Sequence, residues 1–359
     1  MYITTGNPHA YFDGTQRPGT NRYSNSVIAI DLNKKKILWD FQEVSHDIWN
    51  SDLPSPPILT SIKKGGKLID VVVAPTKKSN TLILDRLTGE PIFEYRLRKA
   101  PNSNLSGEKT SFYQPDLEIP EPFGKNTFSS LDFWSYDNSK LNTIKKKYKD
   151  YKFGFYEAYD LNKKTLQYGF NGGAEWMGAS IDHDNNLMYV TSNNIPWETG
   201  VIKIERKNSS IPQYKSFFKR ALDQNKIPIS SPPWGSLTAL NLNTGKIVWQ
   251  VPFGEYKFLK KLGVPTTGTE NFGGVTATSG KIAVATGTID KKMYVFNSLN
   301  GNVLYTQTLP FVGSGPPSTY LHNNEQYIVL HSSGGSTLKK GYPKLVETGN
   351  VLIAFKLKK

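Results

Sequence analysis

The chain has 359 residues, 37% hydrophobic and 12% aromatic, with a formal net charge of +14 and no cysteine. That length supports one large core. The missing cysteines exclude disulfides, thiolate zinc sites, thiolate catalysis and covalent c-type haem, and no apolar run reaches the roughly 18 residues of a membrane-spanning helix.

Met1-Tyr2-Ile3-Thr4-Thr5 reads as a β-strand, with no signal peptide before it. Ala29 to Trp39 follows as an apolar strand, an Asp, a polar turn and a second strand ending in an aromatic. The same pattern returns in Leu82 to Phe93, Ala239 to Trp249 and Val295 to Tyr305. Turns of the Asn-Gly and Thr-Gly kind supply the positive φ a tight hairpin needs. Ala158 to Leu166 is a weaker copy beside an irregular region, and Ile353 to Leu357 is the first strand of another. Such a period predicts an all-β propeller in which each terminal aromatic packs between neighbouring blades. The 30 glycines and 22 prolines, spread along the chain, fit many short strands.

Two stretches break the period. Residues 97–150 are rich in Pro, Ser, Asn and Lys and read as an extended excursion, with a short basic helix near Lys140 to Lys152. Residues 196–234 form a second excursion ending at Pro232-Pro233-Trp234-Gly235. The lysine runs Lys34-Lys35-Lys36, Lys145-Lys146-Lys147 and Lys260-Lys261 lack interleaved aromatics, so they read as a solvated surface rather than a nucleic-acid site. The five histidines, His9, His46, His183, His322 and His331, show no metal-ligand spacing.

The densest chemistry lies in Ser45-His46-Asp47-Ile48-Trp49-Asn50-Ser51-Asp52, directly after the first hairpin. A loop held by a rigid sheet commonly presents a catalytic carboxylate. Two acids compete here, Asp47 and Asp52, and either could instead cap a turn.

This segment, together with the first hairpin, resembles the active-site region of the quinoprotein (pyrroloquinoline quinone, PQQ) dehydrogenases. The resemblance extends over Thr5-Gly6-Asn7-Pro8, Pro75-Thr76-Lys77, Gly107-Glu108-Lys109-Thr110-Ser111, Asn171-Gly172-Gly173-Ala174-Glu175-Trp176 and Thr267-Gly268-Thr269-Glu270-Asn271-Phe272-Gly273-Gly274. Within the family it is similar to the membrane-bound glucose dehydrogenase type. It implies an eight-bladed propeller, of which residues 1–359 hold only about four or five blades. It further implies PQQ over the propeller axis, a Ca²⁺ that polarises the quinone, and an Asp that removes the substrate hydroxyl proton.

Residue by residue, the resemblance maps that base onto Asp47. It places a Ca²⁺ ligand at Asn7, whose alternative is an Asx-turn before Pro8. It places the quinone's hydrogen-bond donor at Lys77, with Lys78 open as the alternative. Asn171, Trp176, Asn271 and Phe272 would line the cofactor rim, or simply pack the propeller. The implied activity is oxidation of a glucose-like sugar or an alcohol at the periplasmic face of the inner membrane. Electrons would pass to ubiquinone, and an N-terminal half or partner chain would complete the ring. The competing expectation is a non-catalytic PQQ-repeat propeller acting as a scaffold.

Overall fold

The computed structural model describes residues 1–204 and 213–356, whose regular structure is mostly β. The chain divides into two compact units, Met1–Gly173 with Ile195–Ser231, and Ala174–Asn194 with Pro232–Lys359. Among the described residues no helix is long and apolar enough to cross a membrane.

In the first unit, Tyr2–Thr4, Ser26–Asp31 and Lys36–Gln42 form one antiparallel sheet, and Ile58–Lys64, Lys67–Pro75 and Thr81–Asp85 form another. Their inward faces bury Val27, Leu53, Val72, Ala74, Leu82 and Leu84. In the second unit two four-stranded sheets and the three-stranded sheet Ser318–His322, Glu325–Ser332 and Val351–Lys356 follow the same plan. Leu187, Tyr189, Leu237, Trp249, Phe253 and Phe296 fill its core.

The repeat has a physical cause in each of its parts. The Asp or Asn at its centre closes an Asx-turn: Asp31 Oδ1 accepts from the backbone N–H groups of Asn33 and Lys34, Asp85 Oδ1 from Leu87 and Thr88, and Asn241 Oδ1 from Asn243 and Thr244. Three hairpins carry the same bulge one residue before the aromatic, leaving Leu38, Val248 and Leu304 unpaired and exposed. In the first two the residue after the bulge is a tryptophan that packs inward, whereas Tyr305 in the third stays exposed. Trp39 then lies on Gly89, where an added Cβ would stand 2.7 Å from the indole, and its Nε1 donates to Arg86 O at 3.2 Å. Trp249 repeats this on Gly301, with Nε1 donating to Ser298 O at 3.0 Å. Both tryptophans therefore lock onto the turn of the next repeat, which only glycine leaves open.

Several expectations change in detail. In Leu82 to Phe93 the second strand shrinks to a bridge between Leu84 and Pro91, because proline has no N–H for the ladder. Ala158 to Leu166 forms no hairpin; only Thr165–Gln167 is a strand, paired with Trp197–Ile204. The basic helix spans Asn138–Lys147, capped by Asp137. The segment read as a second excursion contains the regular pair Trp197–Ile204 and Gln213–Arg220. Leu357, at the end of the last copy, and residues 205–212 lie outside the described residues.

Candidate active site

Asp47 is fully buried, and its carboxylate is already engaged. Oδ1 accepts from Trp49 N at 2.7 Å, and Oδ2 accepts from Ser51 N at 2.7 Å and Asn25 Nδ2 at 3.0 Å. These bonds wind residues 47–51 into a tight loop, with His46 and Asn50 in the left-handed region. Arg17 Nη2 donates to Asp47 O at 2.6 Å. His46 is held between Gly19 O at 2.6 Å and Glu108 Oε1 at 2.7 Å. Burial alone would raise the Glu108 carboxyl, but bonds from His46 and Gly14 N hold it below the usual range. Asp47 thus shapes the loop rather than facing outward from it.

The loop presents Asp52. Its Oδ2 accepts from Lys77 Nζ at 2.8 Å and its Oδ1 from Asn7 N at 2.8 Å. Asn7 Nδ2 donates to Pro8 O at 3.0 Å, leaving Oδ1 free to face Asn50. With the Asn50 amide assigned to satisfy its neighbours, its nitrogen donates to Asn7 Oδ1 at 2.9 Å and its oxygen accepts from Lys77 Nζ at 3.0 Å. The opposite assignment offers only Phe170 O at 3.4 Å. Asn7, Asn50, Asp52 and Lys77 therefore form one connected polar cluster.

Lys77 and Lys78 diverge. Lys78 is buried with its Nζ 4.4 Å from the ring centre of Tyr156, while Lys77 meets Asp52. Gly173 lies so close to the Lys77 peptide that an added Cβ would stand 2.3 Å from Lys77 O. The Asn171 loop therefore rests directly on the lysine-bearing turn. In the second unit, Asn271 is buried and bonded to Asn193 through both backbone and side chain, Phe272 N donates to Gly287 O, and Trp176 is 58% exposed.

The structure thus gathers Asn7, Lys77 and the Asn171 loop, sets Asp47 in the loop that supports them, and carries Trp176, Asn271 and Phe272 on the other unit. Asn50 was missed by reading the sequence. The turn-capping alternative for Asp47, left open by the sequence, describes its bonds: the carboxylate accepts from Trp49 N and Ser51 N.

The cluster can be tested for a quinone and a cation. Asn7 and Asn50 amide oxygens and the Asp52 carboxylate are hard oxygen donors of the kind Ca²⁺ takes. Among the described residues no three His, Cys, Asp or Glu side chains converge as a metal cage. The set fits part of a cation's coordination, with one formal charge. Lys77 fits as donor to a quinone oxygen. Ser51 Oγ and Ser55 Oγ, on the same loop, are buried with no partner among the described residues.

A family model described as PQQ, glucose/ethanol/alcohol dehydrogenase, beta-propeller domain, matches residues 1–328. The quinate/shikimate dehydrogenase (quinone) of Acinetobacter baylyi is 27% identical over 96% of this chain and 45% of its own length. The quinoprotein glucose dehydrogenase of Escherichia coli is 26% identical over 89% of this chain and 43% of its own. The chain spans about half the length of these curated relatives. Among solved structures, the quinohemoprotein alcohol dehydrogenase from Comamonas testosteroni superposes with a TM-score of 0.66 at 21% identity, over 99% of this chain and 46% of that one. It shares the fold.

Proposed function

The chain belongs to the PQQ glucose/ethanol/alcohol dehydrogenase β-propeller family, and on that premise we propose that it forms about half of a quinoprotein dehydrogenase oxidising a glucose-like sugar or an alcohol. The observation that carries this reading is the buried Asp52–Lys77 pair with Asn7 and Asn50 beside it. A scaffold has no use for it, since burying an ion pair generally returns less than apolar packing would.

Hydride acceptance and Lewis acidity are the chemistry that PQQ and its cation supply when bound. The protein's own share follows from the cluster. Asn7 and Asn50 offer neutral oxygens to the cation. Lys77 would donate to an oxygen of the quinone and, as a fixed cation, would favour negative charge there. Asp52 accepts the hydroxyl proton, being the loop carboxylate that meets Lys77 and takes a single backbone donor, Asn7 N, where Asp47 takes two, from Trp49 and Ser51. Asp47 holds the loop so that Asp52 meets Lys77.

The rest of the ring, from an N-terminal half or a partner chain, supplies the remaining ligands. Electrons pass to ubiquinone, at the periplasmic face of the inner membrane. The test combines the chain with the segment that completes the propeller. Ca²⁺-dependent PQQ binding and dye-linked oxidation of glucose, glycerol or quinate are expected. Neither binding nor oxidation of any of these would overturn the reading.

A further inference from the structure

Beside the cluster lies a group the proposed chemistry does not use. Glu43 is 2% exposed, and its Oε1 accepts from Thr76 Oγ1 at 2.9 Å and Asn80 Nδ2 at 2.8 Å. These residues are the two ends of the turn that carries Lys77. Within it, Thr76 N donates to Asn80 O at 2.9 Å and Ser79 N to Thr76 O at 3.0 Å. Thr76 Oγ1 also accepts from Lys78 N at 3.2 Å and Asn80 N at 3.3 Å. One carboxylate oxygen thus fixes both ends of the turn and orients the hydroxyl that supports its middle.

Side chains leave the turn in two directions. Lys77 goes to Asp52, and Thr76 and Asn80 go to Glu43. Lys78 is 4% exposed, and its ammonium makes no hydrogen bond or ion pair among the described residues, lying instead over the Tyr156 ring. Glu43 Oε2 and Asn80 Oδ1 are likewise buried and unpartnered there. The charged or titratable groups facing Glu43 are Lys78, Asp47, Tyr95 and Tyr156; those facing Lys78 are Asp47, Glu43, Lys77 and Tyr156.

We propose that Glu43 is a positioning residue for Lys77, clamping the turn Thr76–Asn80, and that the buried ammonium of Lys78 favours the charged form of that clamp. A carboxylate accepts these bonds more strongly than a carboxylic acid does. Burial pushes the Glu43 carboxyl up to about 7 and the Lys78 ammonium down to about 8, so both change charge near neutrality. Lowering the pH through about 7 protonates Glu43, loosens the turn and lets Lys77 drift from Asp52. The consequence for catalysis rests on the dehydrogenase reading; the clamp itself does not.

The test has one arm without cofactor and one with it. In the full chain labelled with ¹³C at the lysine ε-carbons, the Lys77 resonance, assigned with Lys77→Arg, should change position as Glu43 titrates, with a midpoint near 7. Glu43→Gln keeps an oxygen for Thr76 and Asn80 but no charge, and should abolish that titration while the fold is kept. Lys78→Met should move the midpoint upward. In the completed dehydrogenase, Glu43→Leu should lower kcat about 10²-fold, the size of effect a small misplacement produces, while Glu43→Gln retains most of kcat and flattens its pH profile. A change in the Lys77 resonance near pH 7 that survives Glu43→Gln would overturn the clamp, and a midpoint unmoved by Lys78→Met would overturn the role of Lys78. If the titration behaves as stated but the completed protein binds no PQQ, the dehydrogenase reading fails and the clamp stands.

Discussion

Asp52 and Lys77 meet at 2.8 Å across 25 residues of sequence, whereas Asp47, in the same loop, spends its carboxylate on Trp49 N, Ser51 N and Asn25. The two acids have exchangeable sequence roles but different physical ones. One is consumed in making the loop, and the other is what the loop presents.

Substitution separates them. Asp52→Asn in the completed enzyme should reduce turnover about 10²–10⁴-fold, because an amide cannot take the hydroxyl proton. The folded state should survive, since the amide oxygen still accepts. Asp47→Asn should act on stability instead, by about 1–3 kcal/mol, because one of its atoms can no longer accept from the loop. Dye-linked assays and thermal unfolding of both variants distinguish the roles. A stable but inactive Asp47→Asn protein with an active Asp52→Asn protein would return the base to Asp47.

The ion pair should be strongly non-additive. Lys77 and Asp52 side chains are 3% and 8% exposed, so removing one partner strands a buried charge at about 3–5 kcal/mol. Lys77→Met and Asp52→Leu should each destabilise the chain by that order. The double variant should lose far less than the sum, read by urea unfolding of all four proteins. Additive losses would show that the two groups do not interact.

Gly173→Ala should disturb Lys77 without touching its side chain. The new Cβ would stand 2.3 Å from Lys77 O at a φ of +60°, a left-handed strain of about 1–2 kcal/mol before the clash is relieved. The expected result is a lower unfolding temperature together with a shifted Lys77 ε-carbon resonance. A change in stability with that resonance unmoved would mean that the Asn171 loop yields and the lysine turn does not.

Stability should fall as pH rises from about 4.5 to about 7, because the folded chain keeps a proton on Glu43 that the unfolded chain releases. A shift of this size corresponds to about 3 kcal/mol. Lys78, lowered to about 8, has the opposite sign, and stability lost to its burial returns as pH rises above that value. Glu43→Gln should flatten the acid-side slope. The check is the difference in unfolding free energy between pH 5 and pH 7 for the two proteins. An equal slope in both would place the titration elsewhere.

What could be read from the residues alone was whatever local geometry dictates. The Asx-turns at Asp31, Asp85 and Asn241 and the inward aromatics Trp39 and Trp249 follow from spacing within single hairpins, so the β repeat was legible. The tertiary structure decided which carboxylate faces the lysine and which of two adjacent lysines meets it. Asp47 is saturated partly by Asn25, and Lys77 finds Asp52 rather than Tyr156, through contacts between segments distant in sequence. The same holds for Trp197–Ile204, whose sheet partners include Thr165–Gln167. A side chain's role is set by the donors and charges around it, and when those come from remote strands, spacing along the chain carries no record of them.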